Sequence, residues 1–119
     1  MNWERNKRMV TELAEAIKAH GFRVFVHLDD VVGSYFGYFT NGDNVAYFDA
    51  DWDDYCVSKC TCPSVSVRHT PRISGITKNV CDKAVSSHIP NIKGKLKPRL
   101  FKFDEMMERY GNDKHFSEL

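Results

Sequence analysis

An Asn-Gly pair between two runs of strand-forming residues is the feature that most restricts the fold of this chain. The runs extend from Val31 to Phe39 and from Asn44 to Phe48, and aromatic and β-branched residues are frequent in both. Such residues favour extended backbone. Asn41 and Gly42 lie between the runs, and this pair readily adopts the left-handed backbone conformation of a tight hairpin turn. The sequence therefore predicts two neighbouring antiparallel strands.

Further elements are predicted on either side of this hairpin. Apolar residues recur three, four and seven positions apart over residues 2–20, which indicates an amphipathic helix. Residues 22–28 are rich in strand formers. Elements are also predicted after the hairpin, with strands at Tyr55–Cys62 and Ser64–Arg68 and helices at 77–89 and 104–110.

Together these elements predict an α+β fold. Short loops favour hairpins over crossovers, so we expect a mainly antiparallel sheet of four to five strands. The N-terminal amphipathic helix packs on one face, and one or two further helices complete the fold. The 119 residues correspond to a single domain, 1–119, in which 111–119 is expected to be a flexible polar tail.

The amino-terminal residues indicate where the protein resides. They are charged, and no apolar run of signal-peptide length follows them. No stretch approaches the roughly 18 apolar residues of a membrane span. We therefore expect a cytoplasmic protein with no membrane partner.

Charge is distributed very unevenly along the chain. Its net charge is only +1, but residues 24–58 contain seven acids and no Lys or Arg. Residues 68–102 contain nine Lys or Arg and one acid. A near-neutral total thus hides two blocks of opposite sign, and each block is either a binding surface or a solvated face.

The basic block is one candidate binding surface. In an extended chain the alternating cations of residues 93–99 would lie on one face, where they could follow nucleic-acid phosphates or an acidic protein surface. The alternative is an edge strand that lysines protect from aggregation. The candidate residues are Arg68, Arg72, Lys93, Lys95, Lys97, Arg99 and Lys102.

The acidic block is the second candidate. It contains Asp49, Asp51, Asp53 and Asp54, whose spacing is partly that of a calcium loop. Asp54 stands where that loop requires Gly, and Cys60 stands where it requires Glu, so an EF-hand is excluded. The acids then form either a docking surface for a basic groove or a solvated loop that balances the basic block.

Cysteine usage leaves a metal site open as an alternative. Cys56, Cys60, Cys62 and Cys81 supply enough sulfur for tetrahedral zinc, although their spacing is not that of a zinc knuckle. The favoured interpretation is that they are buried thiols, which behave as small apolar groups.

No complete catalytic or nucleotide-binding motif occurs, so a non-enzymatic protein without a cofactor is expected. A Cys/His pair that meets only in the folded chain stays possible.

The middle third of the chain resembles short uncharacterised accessory proteins of tailed bacteriophages. The resemblance rests on the aromatic hairpin Tyr35–Phe39 and Val45–Phe48, then on Ser64–Pro71, and then on Gly75 with Ile76. The chain departs from the pattern in its cysteines and at residues 74–76, where a Gly-Thr-Gly-aromatic run is expected. The resemblance implies an accessory role in infection, such as blocking a host defence complex, in the cytoplasm of the bacterial host. It assigns no catalytic residue.

These observations predict a small non-enzymatic macromolecule-binding protein whose partner is a protein or a nucleoprotein complex. One charged block would dock onto a complementary groove, while apolar and aromatic side chains supply affinity. Two alternatives stay open. One is direct nucleic-acid binding through the basic ribbon 93–102, and the other is a zinc-stabilised interaction module.

Overall fold

The computed structural model describes residues 3–42, 44–51, 53–59, 67–86 and 102–119. No helix in these ranges is long and apolar enough to cross a membrane. The helices are α1 (Trp3–Ala19), α2 (Lys78–Ser86) and α3 (Phe103–Tyr110), with a short 3₁₀ turn at Ile73–Gly75. The strands are β1 (Arg23–Asp29), β2 (Ser34–Thr40), β3 (Val45–Asp51), β4 (Asp54–Lys59), β5 (Val67–Thr70) and β6 (Phe116–Glu118).

The strands form one antiparallel sheet in the order β5-β4-β3-β2-β1-β6. Strands β1 to β5 pair with their neighbours in chain order, and the first three follow each other as hairpins, as their short loops predict. The α+β class and the N-terminal helix on the sheet are confirmed. The sheet has six strands where four to five were predicted.

Helix α1 covers one face of the sheet, called here the first face. Its buried residues Met9, Val10, Leu13, Ala14 and Ile17 recur three and four positions apart, the spacing of an amphipathic helix. They form the main core with alternate residues of the central strands and with α2. The largest buried rings of this core are those of Phe39 and Phe48.

Helix α3 lies on the opposite face, called here the second face. Its Met106 is fully buried in a cluster with Phe25, Tyr38 and Val45. Because both faces are covered, β1 and β2 are buried along most of their length, and simple alternation between apolar and polar residues is lost. Five more aromatic rings pack against this cluster, those of Phe36, Tyr47, Phe103, Tyr110 and Phe116.

The C-terminal segment is folded, where a flexible polar tail over 111–119 was expected. Phe116–Glu118 pairs with β1 as strand β6, and Arg23 donates two hydrogen bonds to the Glu118 carboxylate at 2.8 and 2.9 Å. The Phe116 ring stacks on Phe25 at 5.7 Å and on Tyr110 at 5.2 Å. Residues 111–119 are mostly polar, and Phe116 is the aromatic residue that fixes them on the sheet. The sequence pattern therefore did not predict this strand.

The packing of Phe116 gives a first prediction. We expect Phe116→Ala to lower the free energy of unfolding by about 2 kcal/mol, less than the loss of a fully buried ring, because Phe116 is half-buried. Urea denaturation measures this change, with the exposed Lys114→Ala as control. Equal stability of the Phe116→Ala protein and the wild type would mean that the segment contributes nothing to the fold.

Gly37 gives a second prediction, because it lies where Phe48 crosses β2. A Cβ atom at Gly37 would lie 2.2 Å from Phe48 Cζ and 2.5 Å from the Phe25 carbonyl oxygen. We expect Gly37→Ala to lower the free energy of unfolding by about 2 kcal/mol through overpacking, while the exposed Ser117→Ala changes it by less than about 0.5 kcal/mol. Denaturation of the two variants in urea measures the difference. A Gly37→Ala protein as stable as the wild type would contradict the tight packing of Phe48.

Candidate functional site

Two turns meet at one end of the sheet and define the first candidate surface. Residues 30–33 join β1 to β2, and Asp53 lies in the turn between β3 and β4. Since β1 to β4 are successive antiparallel hairpins, these two turns share an end and the β2–β3 turn lies at the other. We call this end the acidic tip; its described residues are Trp3, Asp29, Asp30, Val31, Val32, Asp51, Asp53 and Asp54.

The β1–β2 turn exposes two valines. Asp29 Oδ1 accepts hydrogen bonds from the backbone N–H groups of Val31 at 2.9 Å and Val32 at 3.4 Å. Gly33 follows with a φ of 69°, which favours glycine. The valine side chains are 81% and 62% exposed. Sequence patterning began the second strand at Val31, whereas it begins at Ser34.

Trp3 extends this apolar surface. A Cβ atom at Gly33 would lie 2.3 Å from Trp3 Cε2, so the indole packs directly on the backbone of the turn. Trp3 is still 45% exposed. It joins Val31 and Val32, and these three are the majority of the large apolar side chains exposed among the described residues. Clustered apolar surface of this kind marks interaction sites.

The start of α1 ties the two turns together. Lys7 Nζ lies 3.1 Å from Asp30 Oδ2, and Arg5 forms an ion pair with Asp53. Asn6 Nδ2 donates a hydrogen bond to the Ala50 carbonyl oxygen at 2.8 Å. The tip is therefore held by three successive residues of one helical turn.

Carboxylates surround the apolar residues. Asp30 accepts a hydrogen bond from the Tyr35 hydroxyl at 2.7 Å, and this bond, followed by that from Lys7, lowers the pKa of Asp30. Asp51 and Asp54 face each other across the end of the β3–β4 hairpin. Among the described residues neither forms an ion pair with Lys or Arg. The tip therefore remains negative although Asp30 and Asp53 are paired with Lys7 and Arg5, and although His115 Nε2 lies 3.6 Å from Asp29 Oδ2.

A cavity of about 270 Å³ opens beside the tip on the second face. Asp49, Cys56 and His69 lie directly opposite one another on β3, β4 and β5. Cys56 Sγ and His69 Nδ1 share a hydrogen bond of 3.1 Å, and the Tyr47 hydroxyl donates to Asp49 Oδ2 at 2.8 Å. Ala50, Asp51 and Ser58 complete the lining.

The electrostatics of the cavity oppose nucleophilic chemistry at Cys56. Burial, and after it the charge of Asp49, raises the pKa of the Cys56 thiol to about 12. A thiol with this pKa is protonated at neutral pH, and the thiolate is the nucleophile. The cysteine and histidine have the spacing of a catalytic pair, but the surrounding carboxylates stabilise the resting thiol.

The surroundings of Asp49 disfavour the ionised form of its carboxyl group. Burial raises the pKa of its carboxyl group, and the hydrogen bond from Tyr47 acts in the opposite direction without cancelling the effect. No described Lys or Arg forms an ion pair with Asp49. A partly buried carboxylate with a raised pKa is the kind of group that recurs at functional sites.

The predicted acidic residues are partly brought together. Asp49 and Asp51 lie on the second face of β3, and Asp54 lies across from Asp51 on the same face. Asp53 lies in the turn, where it pairs with Arg5.

The apolar residues of the tip were not predicted as functional, because Trp3 fits the apolar stripe of α1 and Val31 fits a strand. The signal in the sequence was the pair of valines between two acids and a glycine.

The predicted basic residues that the structure describes are not gathered at one place. Arg68 and Arg72 are exposed on and just after β5. Lys102 lies at the opposite end of the sheet from the tip, where its Nζ donates to Asn44 Oδ1 at 2.6 Å. Lys93, Lys95, Lys97 and Arg99 lie outside the described residues.

The predicted cysteine set is divided between the two faces of the sheet. Cys56 lies on the second face with His69, whereas Cys81 is buried in the main core on the first face. Cys60 and Cys62 lie outside the described residues. Within the described ranges no three His, Cys, Asp or Glu side chains are placed to hold a metal ion. Cys56 and Cys81 therefore do not share a site, because the sheet lies between them.

The chain matches no protein-family model, no curated protein and no solved structure.

The raised pKa of Asp49 gives a third prediction. A carboxyl group whose folded pKa is raised favours folding while it is protonated. That contribution is fully present below its unfolded pKa of about 3.9 and is lost as the pH rises through the folded pKa. We therefore expect Asp49→Asn to be more stable than the wild type at pH 7, with a smaller difference at pH 3. Thermal or urea denaturation at both pH values measures this.

The matched control is Glu15→Gln, which removes one carboxylate from the exposed side of α1. It should change the free energy of unfolding by less than about 0.5 kcal/mol. An Asp49→Asn protein less stable than the wild type at pH 7 would show that the carboxylate is a structural acceptor for Tyr47 and not a strained functional group.

Proposed function

We propose that this chain is a small non-enzymatic docking protein whose acidic tip binds a basic, partly apolar surface of a larger protein or nucleoprotein complex. The observation that carries the proposal is the exposure of Val31 and Val32 beside Trp3, inside a set of carboxylates. The resemblance to bacteriophage accessory proteins favours a complex of the bacterial host as the partner.

The apolar residues would supply the affinity. Burying apolar surface contributes about 25 cal/mol per Å², and interfaces concentrate their binding energy in a few central residues within a polar rim. Val31, Val32 and Trp3 have this central position at the tip. The turn that holds the valines is fixed by Asp29 and Gly33, so little conformational entropy would be lost on binding.

The carboxylates would select the partner. A negative rim speeds encounter with a basic surface and repels an acidic one. Nucleic acid is therefore a poor ligand for the tip, since its phosphates carry the same sign. Direct nucleic-acid binding stays the alternative through the basic residues, of which the described Arg68 and Arg72 are exposed.

A comparison of charge and tip variants tests the proposal and is our fourth prediction. The tagged full-length protein is used to capture partners from a nuclease-treated bacterial lysate, which are quantified by mass spectrometry. We expect a protein recovered in stoichiometric amount by the wild type to be reduced at least about tenfold by the double substitution Val31→Asp and Val32→Asp, since loss of a central apolar contact costs more than about 1.4 kcal/mol.

The matched control changes the other charged block. A variant with Lys93, Lys95, Lys97 and Arg99 changed to Glu should retain the captured protein. Retention by the tip variant and loss by the basic variant would contradict the proposal. Recovery of nucleic acid alone from an untreated lysate, with nothing left after nuclease, would favour the nucleic-acid alternative.

A further inference from the structure

Two histidines and two aspartates bridge the C-terminal segment, residues 111–119, to strand β1. We infer that His27, Asp29, Asp113 and His115 form a pH-sensitive latch, which holds this segment on the sheet while the imidazoles are protonated and loosens it as the pH rises above neutrality. The inference goes beyond the proposed docking function and does not require it.

The two pairs of the latch are reciprocal. His27 on β1 faces Asp113 of the segment, with 3.1 Å between Nδ1 and Oδ2. His115 of the segment faces Asp29 on β1, with 3.6 Å between Nε2 and Oδ2. Each side therefore contributes one imidazole and one carboxylate. Both contacts are ion pairs only while the imidazoles carry a proton, and histidine changes its charge between about pH 5 and pH 8.

The environment of His27 makes its proton important for the fold. The residue is 9% exposed, and its ring stacks on Phe36 with 4.6 Å between the ring centroids. Among the described residues no group forms a hydrogen bond of good geometry with the buried Nδ1 atom. A lone pair on this atom would face the Asp113 oxygen and repel it, whereas an N–H group would attract it. The carboxylate therefore favours the protonated ring, and burial opposes it.

The balance of charge favours the closed latch when both rings are protonated. The two rings lie 5.7 Å apart, whereas the distances within the two pairs are 3.1 and 3.6 Å. Because Coulomb energy falls with distance, the two attractions outweigh the repulsion between the rings. Deprotonation of both rings leaves two carboxylates without a cation in the latch.

The elements around the latch contribute few other ionisable groups. Asp30 lies in the turn after β1, where it pairs with Lys7 and accepts a hydrogen bond from Tyr35. On β2 and α3 the hydroxyl groups of Tyr38 and Tyr110 bond to each other. The remaining charged groups on β1 and the segment are the Arg23–Glu118 ion pair and the exposed Lys114. Histidine is the side chain that ordinarily titrates near neutrality, so the two imidazoles control the charge of this region.

Asp113 sets the acid limit of the latch. The backbone N–H of His115, which donates to Asp113 Oδ1 at 2.8 Å, is the largest cause that lowers the pKa of the Asp113 carboxyl group, and the charges of His27 and His115 lower it further against the opposing effect of burial. A lowered pKa means that Asp113 stabilises the fold above its unfolded pKa of about 3.9 and loses this effect as the pH falls through the folded pKa. The latch is therefore tightest between about pH 4 and pH 6.

Partial burial distinguishes the latch from the exposed ion pair of the same segment. The side chains of the His27–Asp113 pair are 11% and 28% exposed, whereas those of Arg23 and Glu118 are 53% and 40% exposed. Solvent and salt screen a partly buried pair less. Strand β6 has only three residues, so we expect the loss of two such pairs to change how often it opens.

Amide hydrogen exchange tests the inference and is our fifth prediction. Exchange of the ¹⁵N-labelled full-length protein is followed by NMR at about pH 5.5 and about pH 8, and protection factors correct for the intrinsic pH dependence of exchange. The reporters are the Leu28 amide, which donates to the His115 carbonyl oxygen at 3.1 Å, and the Leu119 amide, which donates to the Val24 carbonyl oxygen at 2.9 Å. We expect their protection, relative to amides of β3, to be at least about threefold lower at the higher pH.

Two variants remove the latch with little change of shape. Asp113→Asn keeps an oxygen for the His115 N–H but removes the charge, and His115→Gln removes the ring but keeps the carbonyl oxygen that Leu28 contacts. Each should reduce the pH effect to less than about half of its wild-type size, because one of the two pairs is lost. Asp29 is left unchanged, since its other oxygen holds the valine turn.

Two controls separate the latch from general loosening. His69→Gln removes an exposed histidine of β5, at the opposite edge of the sheet, and should keep the full pH effect. Arg23→Gln removes the ion pair with Glu118 and should lower protection at both pH values without changing their ratio. Equal protection of the wild type at the two pH values, or a full pH effect in both Asp113→Asn and His115→Gln, would overturn the latch.

Discussion

The structure depends on the coverage of both faces of a wide sheet by helices of unequal length. Six strands span about 24 Å across the sheet. The 17 residues of α1 extend about 25 Å, whereas the 8 residues of α3 extend only about 12 Å. The first face carries a continuous apolar core, because α1 and the shorter α2 both pack on it. On the second face the aromatic cluster under α3 reaches Tyr47, and the surface continues beyond it in Asp49, Cys56 and His69.

This difference in length explains where the candidate site lies. The strands under α3 are apolar on both faces, and Gly37 is required because the ring of Phe48 occupies the space above it. Farther along the sheet the second face carries polar and ionisable side chains at the positions that α3 does not reach. The acidic residues Asp49, Asp51 and Asp54 share this face as a consequence of strand register.

The apolar residues of the acidic tip, unlike those under α3, contribute little to the stability of the fold. Val31 and Val32 are mostly exposed, and a turn fixed by Asp29 and Gly33 would form equally well with polar side chains at these positions. The ion pairs of Arg5 and Lys7 are solvent-exposed and contribute little to stability. They orient the start of α1 against the turns, so they position Trp3 beside the valines.

The sequence predicted the elements whose periodicity is strong and missed those that depend on tertiary contacts. The helix over 2–20 and the hairpin around Asn41-Gly42 are both present, because an apolar stripe and a turn pair are local signals. Strand β6 was missed because it depends on one ring, Phe116, that packs on residues far away in the chain. The pairing of Cys56 with His69 was not predictable, since it requires the register of β4 against β5.

The cavity finally shows why geometry alone does not assign a function. Cys56 and His69 are as close as a nucleophile and its base, and a distance criterion would favour catalysis. Burial, and after it the charge of Asp49 opposite Cys56, raises the pKa of the thiol, and a thiolate would be needed for attack. The environment that raises the pKa of the thiol therefore opposes nucleophilic attack by Cys56 at neutral pH. The burial and charge around the pair, and not its spacing, distinguish a resting thiol from a nucleophile.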